Sequence, residues 1–210
     1  VKYAIGMPTT EQKLDRQFVF TFLAMNKPDY TLLLPSFPSM NISALRNDLV
    51  VQAIVDECDY LIMMDTDQIY PQDTVTKLLS HQKDIVGARV HRRYPPFDAI
   101  MYEGTLHHYR HIDDEKCYSG DLVEVDATGC GCLCIDMRVF EKIDRPWFLE
   151  TKGEDGKTIG EDIYFCNKAK EQGISIHVDT SIDIGHLSQM VVNESTYRLY
   201  KKVKGYEWQQ

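Results

Sequence analysis

The 210-residue chain predicts one α/β domain whose mixed, mainly parallel sheet is flanked by helices. Three observations carry this reading. Apolar strand-like runs alternate with amphipathic helical stretches through the first half. One run, YLIMM at Tyr60–Met64, is apolar at every position, as expected of a strand covered on both faces in a parallel sheet. A chain of this length, 43% hydrophobic and 26% charged, suits one substantial core and leaves little room for a second.

The elements follow in order. Val1–Met7 reads as a first strand, and Pro8, Thr9 and Thr10 as the loop after it. Thr10 is a candidate cap for a helix over Glu11–Met25, with the apolar face in LDRQFVFTFLAM. Tyr30–Leu34 is a second strand. Pro35 and Pro38 break the chain before a helix that starts near Ser39 or Asn41 and ends near Asp56. After Tyr60–Met64, Pro71 opens a helix through His81, and Asp84–Val90 is another strand. HRRYPPFD is a loop by its prolines. The second half changes character. Asp98–Tyr118 is rich in His, Tyr and Asp, and its strands are weakly marked. Leu122–Ala127 and Cys130–Ile135 read as strands, Met137–Ile143 as a short helix, and Gly153–Gly160 as a mobile loop. Glu161–Gln172 is a helix, Ile174–Val178 a strand, and Ile182–Ile184 leads into His186. No repeat or low-complexity segment is present.

The net charge of −9 argues against a basic face for nucleic acid. An anionic small ligand would need a local cation, and a divalent metal supplies one more readily here than a lysine-lined cleft. No apolar run approaches the roughly 20 residues that span a bilayer. VKYAIGMPTT reads as a strand entering a loop, so no secretory leader is expected. Of the six cysteines, Cys58, Cys117, Cys130, Cys132, Cys134 and Cys166, none forms a CxxC pair. Three alternate in GCGCLCI and would share one strand face as small apolar residues. A zinc or disulfide role is the less favoured reading, and a reducing, cytoplasmic setting is expected.

The strongest chemical signal is YLIMMDTDQIYP. Residues two apart on an extended chain point the same way, so Asp65 and Asp67 can address one cation. Hard oxygen ligands suit Mg²⁺ or Mn²⁺, which bridge to diphosphates. Glu161 and Asp162 open a helix after a loop holding Gly153, Gly156 and Gly160, a segment able to close over a ligand. Carboxylates in a first turn also simply complement the helix dipole. His186, just after a strand, would favour Mn²⁺ over Mg²⁺ if it joined Asp67. Weaker candidates are Arg46 and Asn47 on the second helix, and Arg92, Arg93 and Tyr94 after a strand end. Those arginines suit phosphate, and equally suit a solvated surface.

Taken in order, the first strand, the DxD strand end, VDATGCGCLCIDMRVFEKI, the GED helix start and the late histidine resemble the GT-A glycosyltransferases, the family 2-like branch above all. The resemblance spans about Val1 to His186. It implies a single GT-A (Rossmann-like) domain over 1–210: a nucleotide-sugar-binding half (1–95), an acceptor and catalytic half (96–190) and a C-terminal extension (191–210). It implies that Asp67 holds the metal, with Asp65 assisting through metal, ribose or water, and that His186 is a late metal ligand. Met7, Pro8 and Thr9 would lie beside base and ribose, and Arg46 and Arg93 are the cations offered to the donor. Asp162, with Glu161 beside it, would be the base of an inverting reaction. Gly129 and Gly131 would admit the sugar. The absence of a QxxRW element implies transfer of single sugars rather than polymerisation. The implied partners are a nucleoside-diphosphate sugar and an acceptor of unknown type: glycan, protein, lipid or small molecule.

Two rival readings stand beside this one. A haloacid-dehalogenase-type phosphohydrolase also places DxD after an apolar strand, but near its domain's start, whereas two strand–helix units precede it here. A non-catalytic sugar- or nucleotide-binding module would keep the scaffold without turnover.

Overall fold

The computed structural model describes residues 1–106, 108–153 and 156–204. β1 (Tyr3–Gly6) is buried along its length. α1 spans Arg16–Ala24 and is capped by Asp15, whose side chain accepts from the Gln17 N–H at 2.7 Å. Thr10 therefore does not cap it, and the helix starts five residues later than its sequence suggests. The polar residues Glu11–Lys13 stay exposed, while Phe18 and Phe22 are the first of the helix to bury. β2 (Tyr30–Leu33) pairs with β1 in parallel. α2 (Ile42–Val55) is capped by Asn41.

β3 (Tyr60–Met64) pairs in parallel with β1 on its other side. Its side chains alternate between two core clusters: Leu61 and Met63 face one, Ile62 and Met64 the other. The unbroken apolar run thus reflects burial on both faces. The chain then forms β4 (Gln68–Ile69), α3 (Thr74–Ser80) and β5 (Ile85–Val90).

The second half holds β6 (Met101–Glu103), β7 (Arg110–His111), α4 (Asp114–Cys117), β8 (Leu122–Val125), β9 (Ala127–Thr128), β10 (Cys132–Asp136) and α5 (Val139–Lys142). The predicted strand Leu122–Ala127 divides at Asp126. β8 joins the large sheet, while β9 joins β6 and β7 in a small one, because the Asp126 N–H turns to the Tyr102 carbonyl at 2.8 Å. β11 (Thr151–Lys152) and β12 (Thr158–Ile159) pair as antiparallel strands, so Thr158 and Ile159 of the segment read as a Gly153–Gly160 loop belong to a short hairpin. Residues 154 and 155 of that segment lie outside the described residues. α6 (Glu161–Glu171), β13 (Ile176–His186) and α7 (Glu194–Lys204) complete the chain. β13 joins the two predicted pieces Ile174–Val178 and Ile182–Ile184 into one strand, with an irregular register between Asp179 and Asp183.

The large sheet runs β2-β1-β3-β10-β5-β13-β4, with β8 also on β13. β1, β2, β3, β5 and β13 point one way; β10, β8 and β4 oppose them. β10 is the element that periodicity alone does not place: it inserts antiparallel between β3 and β5. Of the alternating cysteines, Cys132 and Cys134 share one core face, but Cys130 precedes the strand and packs in the opposite cluster. All six cysteines are free and buried. Among the described residues no helix is long and apolar enough to cross a membrane.

Candidate active site

The strands β1, β3 and β5 end at a common edge, and α2 and α6 reach the same edge. There they enclose a cleft of about 610 Å³. Pro8 and Thr9 follow β1, Asp65 and Asp67 follow β3, Arg93 follows β5, and His186 closes β13. Arg46 enters from α2, and Glu161 and Asp162 from the first turn of α6. This is where ligands bind in open α/β sheets.

Arg46 organises one wall. It is only 3% exposed, in the middle of a helix whose other buried positions are mostly apolar. Its Nη2 donates to Asp65 Oδ1 at 3.1 Å, its Nε to Glu161 Oε1 at 3.1 Å, and its Nη1 to the Cys130 carbonyl at 3.3 Å. Burial by itself would lower its pKa, but the Asp65 and Glu161 charges outweigh that and raise it. One guanidinium thus ties together the end of β3, the start of α6 and the loop before β10. Breaking such a buried pair from one side costs about 3–5 kcal/mol.

The opposite wall is built by strand pairing. β4 starts one residue after Asp67, and Gln68 is the register partner of His186 in β13. The Leu187 N–H donates to the Asp67 carbonyl at 2.8 Å, extending that pairing. The side chains meet accordingly: His186 Nε2 stands 3.3 Å from Asp67 Oδ2. Arg93 Nη1 donates to the same oxygen at 2.6 Å. Burial pushes the Asp67 pKa up, but the His186 hydrogen bond and the His186 and Arg93 charges prevail and hold it low. The bond to Asp67 in turn raises the His186 pKa against desolvation. His186 Nδ1 lies 2.7 Å from the His91 carbonyl, which fixes the ring and directs Nε2 into the cleft.

Asp162 sits between the walls. Gly160 caps α6, and a methyl added there would stand 2.7 Å from Asp162 Oδ1, so glycine leaves room for this carboxylate to fold back. Oδ1 accepts from the Ile163 N–H at 2.8 Å. Desolvation first, and then the Glu161 charge, push Asp162 up to about 6. At neutral pH it is mostly ionised and still able to take a proton.

Of the other sequence candidates, Met7 is in the core, 3% exposed, packed with Tyr3, Ile5 and Phe18; only Pro8 and Thr9 of that trio line the cleft. Asn47 does not face the cleft. Its amide oxygen accepts from the Trp147 and Phe148 N–H groups and its nitrogen donates to Ser43 and Phe148 carbonyls, pinning the segment after α5 to α2. Arg92 pairs with Asp98. Gly129 and Gly131 line the cleft.

Two residues that shape the cleft escape sequence reasoning, Tyr70 from behind its wall and Gln68 in its lining. Tyr70 is buried and donates to the Asp65 and Gly131 carbonyls at 2.7 and 3.0 Å, locking the end of β3 to the loop before β10. Gln68 is 1% exposed, and its Oε1 is buried without a hydrogen-bond partner at the cleft floor. A methyl on Gly131 would collide with the Gln68 amide nitrogen. The available signal for Gln68 is its place between the acidic pair and the apolar Ile69 and Tyr70.

Among the described residues, no group of three or more His, Cys, Asp or Glu side chains is arranged as a complete metal cage. Asp65 is paired with Arg46, and Asp67 with Arg93 and His186. The oxygen–nitrogen pair Asp67 and His186 fits part of the coordination shell of a Mn²⁺-like cation, leaving the remainder to ligand oxygens and water.

This sheet order, with β10 antiparallel at its centre and a carboxylate-lined cleft at the strand ends, defines a GT-A-like fold. No family model and no curated protein sequence matches the chain. Solved structures do. A197 from STIV is similar at TM-score 0.60 and 17% identity, over 92% of this chain and 97% of that one. GalNAc-T7, in a structure with UDP, GalNAc and Mn²⁺, matches at 0.58 and 10% identity, over 96% of this chain and 48% of its own. S. aureus TarS 1-349, in complex with UDP-GlcNAc, matches at 0.54 and 12% identity, over 97% and 65%. The chain therefore spans about half of the GalNAc-T7 chain and about two thirds of the TarS one.

Proposed function

We propose that the chain is a metal-dependent glycosyltransferase that moves a single sugar from a nucleoside-diphosphate sugar to an acceptor hydroxyl. The observation that carries this reading is the meeting of Asp65, Asp67, Asp162 and His186, from three distant segments, on one cleft of a GT-A-like sheet. The neighbours GalNAc-T7 and TarS, with UDP, GalNAc and Mn²⁺ or with UDP-GlcNAc, support the donor class.

In this reading Pro8 and Thr9 border the nucleoside. Arg93, with 57% of its side chain exposed, is free to trade Asp67 for a diphosphate oxygen. Asp67 and His186 would hold the divalent cation, which when bound offsets charge on the leaving diphosphate. Asp65 stays with Arg46 and keeps α2, β3 and α6 in register around the sugar. Gln68 Oε1 is a ready acceptor for a donor hydroxyl. Asp162 accepts the proton of the attacking hydroxyl if configuration inverts, a contribution of roughly 10²–10⁴-fold in rate. In a retaining reaction it orients the sugar or acceptor instead.

The test is a screen of nucleotide sugars with and without Mn²⁺, followed by two variants. Asp67→Ala is expected to abolish Mn²⁺-dependent donor binding with the fold intact. Asp162→Asn is expected to spare donor binding and cut transfer about 10²-fold or more. Unchanged transfer in Asp67→Ala removes the metal role. Donor binding without turnover in the wild type favours the non-catalytic module, and phosphate release without a sugar donor favours the phosphohydrolase.

A further inference from the structure

The C-terminal helix has no part in the cleft, and its composition differs from the rest of the chain. α7, ESTYRLYKKVK, holds four basic residues against one acid in a chain of net charge −9. Asn193 caps it, accepting from the Thr196 N–H at 3.2 Å, so its start is specified locally rather than by docking on the sheet. From Ser188 to Lys202 every residue is exposed except Thr196, which is half-buried.

The exposed residues are sorted by side. At 3.6 residues per turn, Tyr197, Leu199 and Tyr200 fall on one half of the helix, and Arg198, Lys201 and Lys202 on the other. Leu199 is 62% exposed and Tyr200 54%. Just before the helix, Met190, Val191 and Val192 are further apolar side chains at 69–80% exposure. Arg198 is paired with Glu194 at 2.6 Å, and Lys201 and Lys202 supply the net positive charge of that side.

We propose that α7, with Met190–Val192, is a surface anchor that lies in the headgroup plane of an anionic lipid bilayer. An apolar half carrying tyrosines beside a lysine-rich half is the pattern of interfacial helices. Tyrosine suits the boundary, with its ring in the apolar layer and its hydroxyl among headgroups. Charge complementarity favours anionic lipid over neutral lipid. Area argues against a second copy of the chain as the occupant. A helix of 11 residues is about 16 Å long and presents roughly 160 Å² on one face, far below the ~800 Å² per partner of a stable interface. β13 ends at His186, on the cleft side, and α7 begins at Glu194. The seven residues between span at most about 25 Å, so an anchored helix keeps the cleft near the membrane surface.

The experiment is co-sedimentation of the full chain with vesicles of phosphatidylcholine, with and without phosphatidylglycerol, at low and high salt. The expected result is binding to the anionic vesicles that weakens as salt rises. Lys201→Glu/Lys202→Glu is expected to bind at least about 30-fold more weakly, and Leu199→Glu to lose most binding. Both variants should melt like the wild type, since these positions are exposed. Absence of vesicle binding overturns the proposal. So does equal binding to neutral vesicles that the lysine changes leave untouched. So does a concentration-dependent dimer, abolished by Leu199→Glu, in a chain that ignores vesicles. None of these outcomes depends on whether the cleft transfers sugar.

Discussion

Asp162 and Asp67 are carboxylates of one cleft, yet their surroundings move them in opposite directions. Asp162 meets protein and the Glu161 charge, and is pushed up to about 6. Asp67 meets His186 and Arg93, and is held low. Environments that separate two carboxylates in this way suit different tasks: one exchanges a proton, the other stays an anion beside cations. The consequence for stability can be measured. Unfolded, Asp162 titrates near 3.8; folded, near about 6. Between those values the folded chain holds the extra proton, so stability falls as pH rises through that window and stays reduced above it. Asp162→Asn is therefore expected to raise stability at about pH 8, by on the order of 1–3 kcal/mol, and to change it little near about pH 4. Urea melts at the two pH values check this. An equal shift at both would mean that the ionised carboxylate is not what costs stability.

At the scale of elements, the cleft depends on two close approaches rather than on any one strand. β4 pairs with the end of β13, and the loop before β10 passes over the Gln68 amide. Gly131 makes the second approach possible. Gly131→Ala is expected to displace Gln68 and to cost about 1–3 kcal/mol, as overpacking does, with weaker nucleotide binding. Gly129→Ala is the control. Its added methyl meets Ile100 at 3.4 Å and Asp162 at 3.6 Å, ordinary contacts, and less than about 0.5 kcal/mol is expected. Melts and nucleotide titrations of the two variants decide it; equal effects would remove the special role of the Gly131 approach.

For the molecule as a whole, ligand binding and stability are linked, because the cleft exists only when both halves of the sheet are assembled. β10, from the second half, separates β3 and β5 of the first. A nucleoside diphosphate with Mn²⁺, at about 100 times its Kd, should stabilise the fold by about 2.7 kcal/mol. For a chain of this size that is a rise in Tm of roughly 5–10 °C. Thermal scans with nucleotide alone, Mn²⁺ alone and both together check it. A shift that ignores Mn²⁺ would leave Arg93 as the phosphate-binding charge and remove the cation from the site.

The sequence alone determined the features set by local pattern. An apolar run without alternation marks a doubly buried strand, so β3 and the acidic pair after it were legible. A glycine-rich segment before acidic residues marked the start of α6, and the histidine at a strand end marked the finish of β13. The tertiary structure decided whatever depends on which segments become neighbours. Periodicity reports that a strand is buried but not against which partner, so the insertion of β10 was hidden. With it were hidden the split of Leu122–Ala127 between two sheets and the separation of Cys130 from Cys132 and Cys134. Charge and polarity mislead in the same way. Arg46 looked like any helical cation until two carboxylates and a carbonyl enclosed it, and Asn47 looked like a cleft residue until Trp147 and Phe148 claimed its amide. The physical reason is one of range: local patterns act over a few residues, whereas pairing across 61 to 119 positions, as between Gly131 and Tyr70 or His186 and Asp67, is settled only when the whole sheet closes.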